Sequence, residues 1–400
     1  METLKRFKIF QAARAEIEDP HKAYENVLLE LNGVARNYLG MDALYLDFSF
    51  VNPRFIALLI IMTTFMYADI EAAILSGDVG GFAYNIAVLG FGVQGFAKFD
   101  AYVYRKKLMQ DLLWRGSAFM ERNKGIDRLR EILIDNATVI LLLKRFYFKL
   151  YGTAFTLIAT FGIIVSIISG ERLLTFGYQF SFLDTSEWLG YCLTYFYQVL
   201  GLLMVIISSC CNDILMVAVY VGAMAMYDCI MSDLRELSKV SQLEKTLANK
   251  RIAKDLMNSI IKQHQDVLQL LNLSNDVYSS YFLMSLACMT GTLAILLIAL
   301  VWVRWYAAIV ICVVASSQIF TLCLLGTLLL MKSDDLIVKI YATTWYDLDL
   351  PVQKSLSLML MNSQHFKEIS YRLGVMNMET FLQSHKMIYR FFTMLVTMHE

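Results

Sequence analysis

Six polar side chains recur at helical spacing near the end of the chain, inside an otherwise apolar segment. At about 100° per residue they all fall within about 40° of one line along a helix: Glu379, Gln383, Lys386, Arg390, Thr393 and Thr397. A charge at the centre of a bilayer costs at least about 2.5–3.5 kcal/mol, so Lys386 and Arg390 must meet water or polar partners. A polar line of this kind favours a helix that borders a water-filled pore.

Two other arrangements would produce the same pattern. The helix could lie flat on the membrane, or the polar line could be buried against neighbouring helices, with Glu379 paired to Lys386. One helix cannot surround a channel by itself. A pore therefore requires several chains that turn this face towards a common axis.

The composition is that of a membrane protein, with 58% hydrophobic and only 18% charged residues and a mean hydropathy of +0.53. A helix needs about 20 apolar residues to cross the hydrocarbon core. Seven segments meet this requirement: 54–75, 79–103, 147–169, 188–227, 280–303, 306–331 and 376–398. The sequence therefore predicts an all-α membrane protein with seven transmembrane helices.

The positive charges predict how the chain is oriented. Of the 35 Lys and Arg residues, 28 lie in the four connecting segments on one side of the membrane. Because basic residues favour the cytoplasmic side, we expect a cytoplasmic N-terminus and an extracellular C-terminus. The run 188–227 is long enough for two passes with a turn near "SSCCNDI", or for one long helix. Two passes would place the basic segment 231–278 outside, so we expect one helix.

This topology divides the chain into four regions. Residues 1–52 form a cytoplasmic N-terminal segment, and 53–331 contain helices one to six, of which helices four to six extend into the cytoplasm. Residues 332–373 form a cytoplasmic domain with an amphipathic helix that begins near Pro351. Residues 376–400 form the polar-lined last helix.

The residues that support catalysis or cofactor binding lack the necessary spacing. The chain contains no GxSxG, HExxH, Walker or Rossmann pattern, and the five histidines and seven cysteines are not spaced as metal ligands or CxxC pairs. A net charge of zero gives no indication of a nucleic-acid partner. We therefore expect a protein that is not an enzyme and has no cofactor, metal or nucleic acid.

Three motifs in the C-terminal 70 residues resemble the shared signature of insect odorant receptors. They are Tyr341-x3-Trp345-Tyr-Asp, "LSLMLMNSQ" and the final "YRFFTMLVTM". The resemblance implies a split seventh helix whose second half lines a tetrameric, non-selective cation pore. It places Met394 at a hydrophobic gate, with Thr397 and Met398 just beyond, although the co-receptor commonly has valine at the Met394 position. It also implies a subunit-contacting anchor that includes Tyr341, Trp345, Leu356 and Leu360.

The resemblance further implies the partners and location of the chain. The connection between helices four and five is short, whereas the co-receptor has a long insertion there. In this respect the chain resembles an odorant-tuning subunit. The implied assembly is a heterotetramer with the insect odorant co-receptor, in contact with membrane lipid and conducting cations. It would lie in the plasma membrane of olfactory sensory neuron dendrites.

By the same resemblance, a small volatile odorant would bind in the outer half of the membrane, between helices two, three, four, five and six. A mostly apolar cavity with a few polar groups suits such a ligand. In "YCLTYFYQ", aromatic rings can stack on a flat ligand while Thr194 and Gln198 offer hydrogen bonds. The candidate residues are Phe82, Tyr84, Asn85, Phe161, Ile164, Val165, Ile168, Tyr191, Thr194, Tyr195, Gln198, Leu296, Leu300, Tyr306, Ile309 and Val310.

Three other classes of membrane protein fit less well. A G-protein-coupled receptor would have the opposite orientation, and its motifs at the ends of helices three and seven are missing. Insect gustatory receptors share the topology, but usually have a Thr-Tyr and Gln-Phe signature where this chain has "IYRFFTMLVTM". A transporter would show internal repeats or paired broken helices, and neither is evident.

Overall fold

The computed structural model describes residues 4–42, 44–45, 51–77, 79–86, 89–180, 183–244, 246–365 and 368–399. Twelve α-helices lie within these residues, joined by short 3₁₀ and π-helical turns. They are α1 (Lys8–Ala15), α2 (Pro20–Val34), α3 (Pro53–Leu75), α4 (Val79–Ile86), α5 (Leu89–Phe99), α6 (Lys106–Asn123), α7 (Asp127–Ser169), α8 (Trp188–Ser241), α9 (Leu247–Trp302), α10 (Ala307–Tyr341), α11 (Leu350–Ser363) and α12 (Met378–His399).

All seven predicted spans correspond to helices. Five of them, α3, α7, α8, α9 and α10, are long and apolar enough to cross a membrane. The predicted span 79–103 corresponds to α4 and α5 together with the π-helical turn Asp100–Tyr104. The predicted span 376–398 corresponds to α12, which is amphipathic because of its polar line.

The fourth span is a single helix, as expected from the charge pattern. Helix α8 runs for 54 residues without a break, which corresponds to about 80 Å, far more than the hydrocarbon thickness of about 30 Å. Helix α9 is equally long, with 56 residues. The parts of α7 to α10 beyond the membrane pack with α1, α2, α6 and α11. We call this end of the molecule, which carries the basic segments, the basic end.

Helix α8 forms the centre of the molecule. From Ser209 to Tyr227 every side chain is buried, so α8 is surrounded on all sides by other helices. A helix that is apolar all round is expected in such a central position. The neighbouring helices are arranged around it.

A buried ion pair holds three helices together at the basic end. Asp233 on α8 is only 1% exposed. Its Oδ1 atom accepts hydrogen bonds from Nε and Nη2 of Arg128 on α7, at 3.0 and 2.8 Å. Its Oδ2 atom accepts a hydrogen bond from Nε2 of Gln263 on α9, at 2.8 Å. The carboxylate is therefore well paired although it is buried.

The predicted split of the seventh helix is confirmed. Helices α11 and α12 are separated by residues 364–377, and Pro351 lies in the first turn of α11. The connection is attached to α9, where Nδ2 of Asn275 donates to the carbonyl of Glu368 at 2.8 Å and Oδ1 accepts from the amide of Ser370 at 3.2 Å. Because this connection is fixed, α12 can take a direction of its own.

The buried pair leads to a stability prediction. The substitution Arg128→Ala would leave the Asp233 carboxylate buried without its cation, which destabilises the fold by about 3 kcal/mol. Arg122→Ala is the matched control, because Arg122 also pairs with an aspartate across helices, at 2.7 Å, but the side chain of that Asp266 is 25% exposed, against 1% for Asp233. Exposed pairs contribute less than about 1 kcal/mol. Thermal unfolding of the purified protein in detergent should show a clear loss for Arg128→Ala only. Equal losses would contradict the special role of the buried pair.

Candidate functional site

An apolar cavity with a volume of about 70 Å³ lies among the membrane-spanning helices, in the half away from the basic end. Helices α3, α5, α7, α8 and α10 contribute to its wall, together with the loop between α7 and α8. The lining side chains are mostly aliphatic and aromatic, with a few polar groups at each end. They include Met62, Phe65, Phe91, Ile158, Phe176, Tyr178, Met204, Ile311 and Val314.

The floor of the cavity, towards the basic end, is polar. Tyr151, Ser209 and Gln318 line it, and each takes part in hydrogen bonds. Nε2 of Gln318 on α10 donates to the hydroxyl of Tyr151 on α7 at 2.6 Å, and this hydroxyl donates to Asp213 on α8. Nζ of Lys98 on α5 donates to the hydroxyl of Ser209 on α8 at 2.8 Å. Polar contacts thus connect four helices directly below the cavity.

The same network extends to one more helix, α9. Nε2 of Gln94 on α5 donates to the hydroxyl of Ser285 on α9 at 2.8 Å and to Oε1 of Gln318 at 3.3 Å. Lys98 and Asp213 are 2% and 4% exposed, and their opposite charges attract each other. Charges this deep in a membrane protein are stable only with polar partners. The floor is therefore an internally satisfied unit that responds as a whole to a change in any of its helices.

The roof of the cavity is formed by Phe176 and Tyr178, in the part of the loop between α7 and α8 that lies against the helices. Gln198 on α8 holds it in place: its Nε2 donates to the carbonyls of Phe176 at 3.1 Å and Tyr178 at 2.9 Å, and its Oε1 accepts from the amide of Phe176 at 3.2 Å. Gln198 is fully buried. Its amide group is thus committed to fixing the two aromatic residues that close the cavity.

The candidate ligand residues are distributed between the cavity and its surroundings. Gln198 lines the cavity, and Thr194 is fully buried one turn away. Tyr84, Phe161 and Val165 line a second, open cleft of about 370 Å³ between the loop 170–187 and the turn 303–306. The side chain of Phe176 borders both spaces.

Other candidates have different surroundings. Nδ2 of Asn85 donates to the carbonyl of Ala72 at 3.1 Å, and the hydroxyls of Tyr191 and Tyr195 donate to backbone carbonyls of Leu173 and Ala159. Leu296 is buried, while Leu300 and Val310 pack partly buried against it and its neighbours. The remaining five lie on the exposed surface of their helices: Phe82, Ile164, Ile168, Tyr306 and Ile309.

Two parts of the cavity wall are not among the candidate residues expected from the sequence. They are helix α3, which contributes Met62 and Phe65, and the loop residues Phe176 and Tyr178. The aromatic segment "TFGYQF" was a usable signal, because three aromatic residues in a short loop are unusual unless the loop is packed. Gly177 is needed there, since a Cβ atom would lie 2.0 Å from Oδ1 of Asn85.

Helix α12 turns its polar line away from the rest of the chain. Glu379, Gln383, Lys386, Arg390 and Thr397 are exposed, and Thr393 is half-buried. Nε2 of Gln383 donates to Oε1 of Glu379 at 3.0 Å. Within the described residues, neither Lys386 nor Arg390 forms an ion pair. Met394, beside the line, is 48% exposed, whereas the side chain of Met398 lies outside the described part of the chain.

The opposite side of α12 packs on α10. Ser384 and Ile388 are buried, and Nε2 of His385 lies 3.0 Å from the hydroxyl of Ser316 on α10. The ring of Phe381 meets Phe320 edge-to-face at 5.5 Å. Because α10 also supplies Ile311, Val314 and Gln318 to the cavity, one helix contacts both the cavity and α12.

An apolar surface occurs at the basic end, where α10 is followed by α11. Tyr341 and Trp345 are 74% and 46% exposed, and they border an open groove of about 370 Å³. Of the other two candidate anchor residues, Leu356 is buried and Leu360 half-buried. Two of the four candidate anchor residues are thus exposed on the surface, and the other two pack beneath it.

The role of Gln198 can be tested by removing its hydrogen bonds. Gln198→Met keeps the volume of the side chain but releases Phe176 and Tyr178, so the loop should open more often. Each lost hydrogen bond contributes about 1 kcal/mol, so amide hydrogen exchange at Phe176 should rise at least about tenfold. Glu171→Gln, at an exposed position in the same loop, is the control and should leave the exchange unchanged. Unchanged exchange in both variants would show that packing alone holds the loop.

Comparison with known proteins agrees with this architecture. The chain is similar to the insect olfactory receptor OR5 from Machilis hrabei in complex with eugenol, with a TM-score of 0.76 and 14% identity over 95% of this chain and 100% of that one. It is also similar to a second structure of the insect olfactory receptor OR5 from Machilis hrabei, with a TM-score of 0.75 and 14% identity over 94% of this chain and 99% of that one. At this identity the likeness shows the fold. The family model "7tm Odorant receptor" matches residues 78–389, and the chain therefore belongs to the odorant receptor family.

Proposed function

We propose that this chain is the odorant-binding subunit of a heteromeric, odorant-gated, non-selective cation channel that it forms with an insect odorant co-receptor. The observation that carries the proposal is the exposed polar line of α12 on the side opposite to its packed face. In a membrane, Lys386 and Arg390 need water or polar partners. Four helices around an axis would supply a water-filled path, and a single chain supplies one of them.

The proposed orientation follows from the basic end. Its Lys and Arg residues support a cytoplasmic N-terminus and a loop 170–187 on the outside. The cavity then lies in the outer half of the plasma membrane, within reach of odorants from outside or from the lipid. Sensory neuron dendrites are the proposed location of the assembled channel.

The proposed ligand is a small, mostly apolar volatile. A cavity of about 70 Å³ is smaller than the roughly 150 Å³ cavity that holds benzene, so side chains must move to admit a ligand. Met62 and Met204 line it, and methionine readily changes shape because it is unbranched. The eugenol of the structurally similar receptor is an aromatic molecule, and Phe65, Phe91 and Phe176 offer surfaces for such a ring. Selectivity from apolar packing would be modest, at about 1–3 kcal/mol per methylene group.

The proposed mechanism is a population shift. A ligand that binds better when the cavity is expanded favours that conformation. Expansion would displace Ile311, Val314 or Gln318 on α10, and α10 contacts α12 through Ser316 and Phe320. Movement of α12 would widen the gate that we place at Met394, with Thr397 and Met398 on its outer side.

Two further features support a heteromer. Lys386 and Arg390 would repel cations if every subunit carried them, so co-receptor subunits would supply most of the conducting surface. The exposed side chains of Tyr341, Trp345 and Leu350 at the basic end form an apolar surface of the kind found at protein interfaces. We propose that this surface, backed by Leu356 and Leu360, is the subunit anchor.

The first test combines recording with a change in the cavity. Cells that express this chain with an insect co-receptor should give odorant-gated cation currents, and cells without the co-receptor should not. Ile158→Trp, at a buried position in the cavity wall, fills the ligand space and should raise the required odorant concentration at least about tenfold. Ile163→Trp lies on the same helix but is 46% exposed, and should leave the response unchanged. A G-protein response without current would contradict the proposed function.

The second test concerns the pore. A cysteine introduced by Thr397→Cys should react with an extracellular, membrane-impermeant thiol reagent, and faster while the channel is open. Ser384→Cys is the control, because Ser384 lies on the packed side of α12 and is 7% exposed. Block of the current should follow modification of Thr397→Cys only. Complete protection of this cysteine in both open and closed channels would show that the polar line does not face water.

A further inference from the structure

A buried carboxylate lies in the membrane part of the chain without a partner. Asp69 on α3 is fully buried, and neither of its carboxylate oxygens has a hydrogen-bond partner among the described residues. This contrasts with Asp213 and Asp233, which are also buried but have hydrogen-bond donors. A buried carboxylate is costly in its charged form unless a cation or a donor pairs with it, so a cationic ligand that reached Asp69 would be favoured there.

Asp69 does not line the cavity itself, but it lies next to residues that do. Met62 and Phe65 line the cavity, and Asp69 follows them on the same face of α3, four residues or about 6 Å beyond Phe65. Tyr178, which closes the cavity, packs edge-to-face on Phe65 with the ring centroids 5.2 Å apart. Burial raises the pKa of the Tyr178 phenol well above its usual range, and the nearby Asp69 carboxylate adds to this effect.

The surroundings of Asp69 are rich in aromatic rings and contain a second acceptor. Phe176 stacks on Tyr178 at 6.2 Å and meets Trp305 edge-to-face at 6.2 Å. Oδ1 of Asn85, which is 8% exposed, also has no partner among the described residues. Asn85 is joined to α3 one turn beyond Asp69, through the carbonyl of Ala72. Ring faces and unpaired acceptor oxygens therefore occur together at the outer side of the cavity.

A carboxylate combined with aromatic faces is the chemistry that recognises an ammonium group. The carboxylate attracts the positive charge and accepts its hydrogen bonds, while the ring faces attract the cation and the adjacent carbon atoms. Neutral ligands obtain much less from this combination. We infer that Asp69 is a specificity-determining residue that selects ligands with a protonated amine, whose apolar part occupies the cavity.

This inference rests on the proposed function of the cavity, and it predicts a preference that apolar packing cannot produce. An n-alkylamine and the n-alkanol of the same length have nearly the same apolar body. A receptor with a purely apolar cavity would respond to both at similar concentrations or prefer the alkanol. With Asp69 as the ammonium partner, the amine should be the stronger agonist, and this preference should depend on the charge of Asp69.

The experiment measures currents from the chain with its co-receptor in a strongly buffered bath. The probes are n-butylamine, n-hexylamine and n-octylamine with the matching alkanols. Asp69→Asn keeps the shape and one acceptor but removes the charge, and should raise the amine concentration needed for half-maximal current at least about tenfold. The alkanol response should stay within about twofold. Glu71→Gln, which removes a charge two residues away on the same helix, should change neither response.

The outcomes separate this inference from the proposed function. An equal shift for amines and alkanols in Asp69→Asn would show a structural role and overturn the inference, as would currents with other odorants but none with any amine. If Asp69→Asn does not reach the cell surface, Asp69→Glu serves instead, because it retains the charge and should retain the preference for amines. Absence of current with every odorant, despite surface expression with the co-receptor, would contradict the proposed function itself.

Discussion

The structure depends on the requirement that polar groups inside a membrane find their partners within the protein, because hydrocarbon offers none. Helix α8 shows how this is achieved. It is buried along its middle, and its Ser209 and Asp213 receive hydrogen bonds from α5 and α7. At the basic end, Asp233 receives them from α7 and α9. The same helix is thus fixed to its neighbours at two levels, inside the membrane and beyond it.

The same requirement connects the floor of the cavity to a distant helix. The polar floor joins five helices through directional hydrogen bonds, and such networks change as units because each unpaired group is costly. Helix α10 belongs to this floor through Gln318 and to the α12 interface through Ser316. A change in cavity size therefore has a short, packed route to the polar face of α12.

The two ends of the cavity differ in how many of their polar groups have hydrogen-bond partners. The polar groups named at the floor have partners, whereas at the outer side of the cavity neither oxygen of Asp69 nor Oδ1 of Asn85 has a partner among the described residues. A satisfied network stabilises the fold, and an unsatisfied group in the same environment lowers stability unless something else binds it. This contrast is consistent with a structural role for the floor and with the recognition role that we propose for Asp69. It also explains why the loop 170–187 must be held firmly by Gln198.

The sequence alone determined the features that depend on length, composition and periodicity. These include the all-α class, the seven spans, the single long α8, the split seventh helix and the polar face of α12, because hydrocarbon thickness and helical repeat act locally along the chain. Family membership was predicted from the C-terminal motifs and is confirmed by the family model.

The cavity wall required the tertiary structure, since α3 and the loop residues Phe176 and Tyr178 meet α7, α8 and α10 only through long-range packing. Tertiary structure likewise decided that Gln198 holds the roof, that Ile164 and Ile309 face outward, and that Asp69 is buried without a partner among the described residues. Helical spacing tells which residues share a face, but only the folded neighbours decide what that face meets.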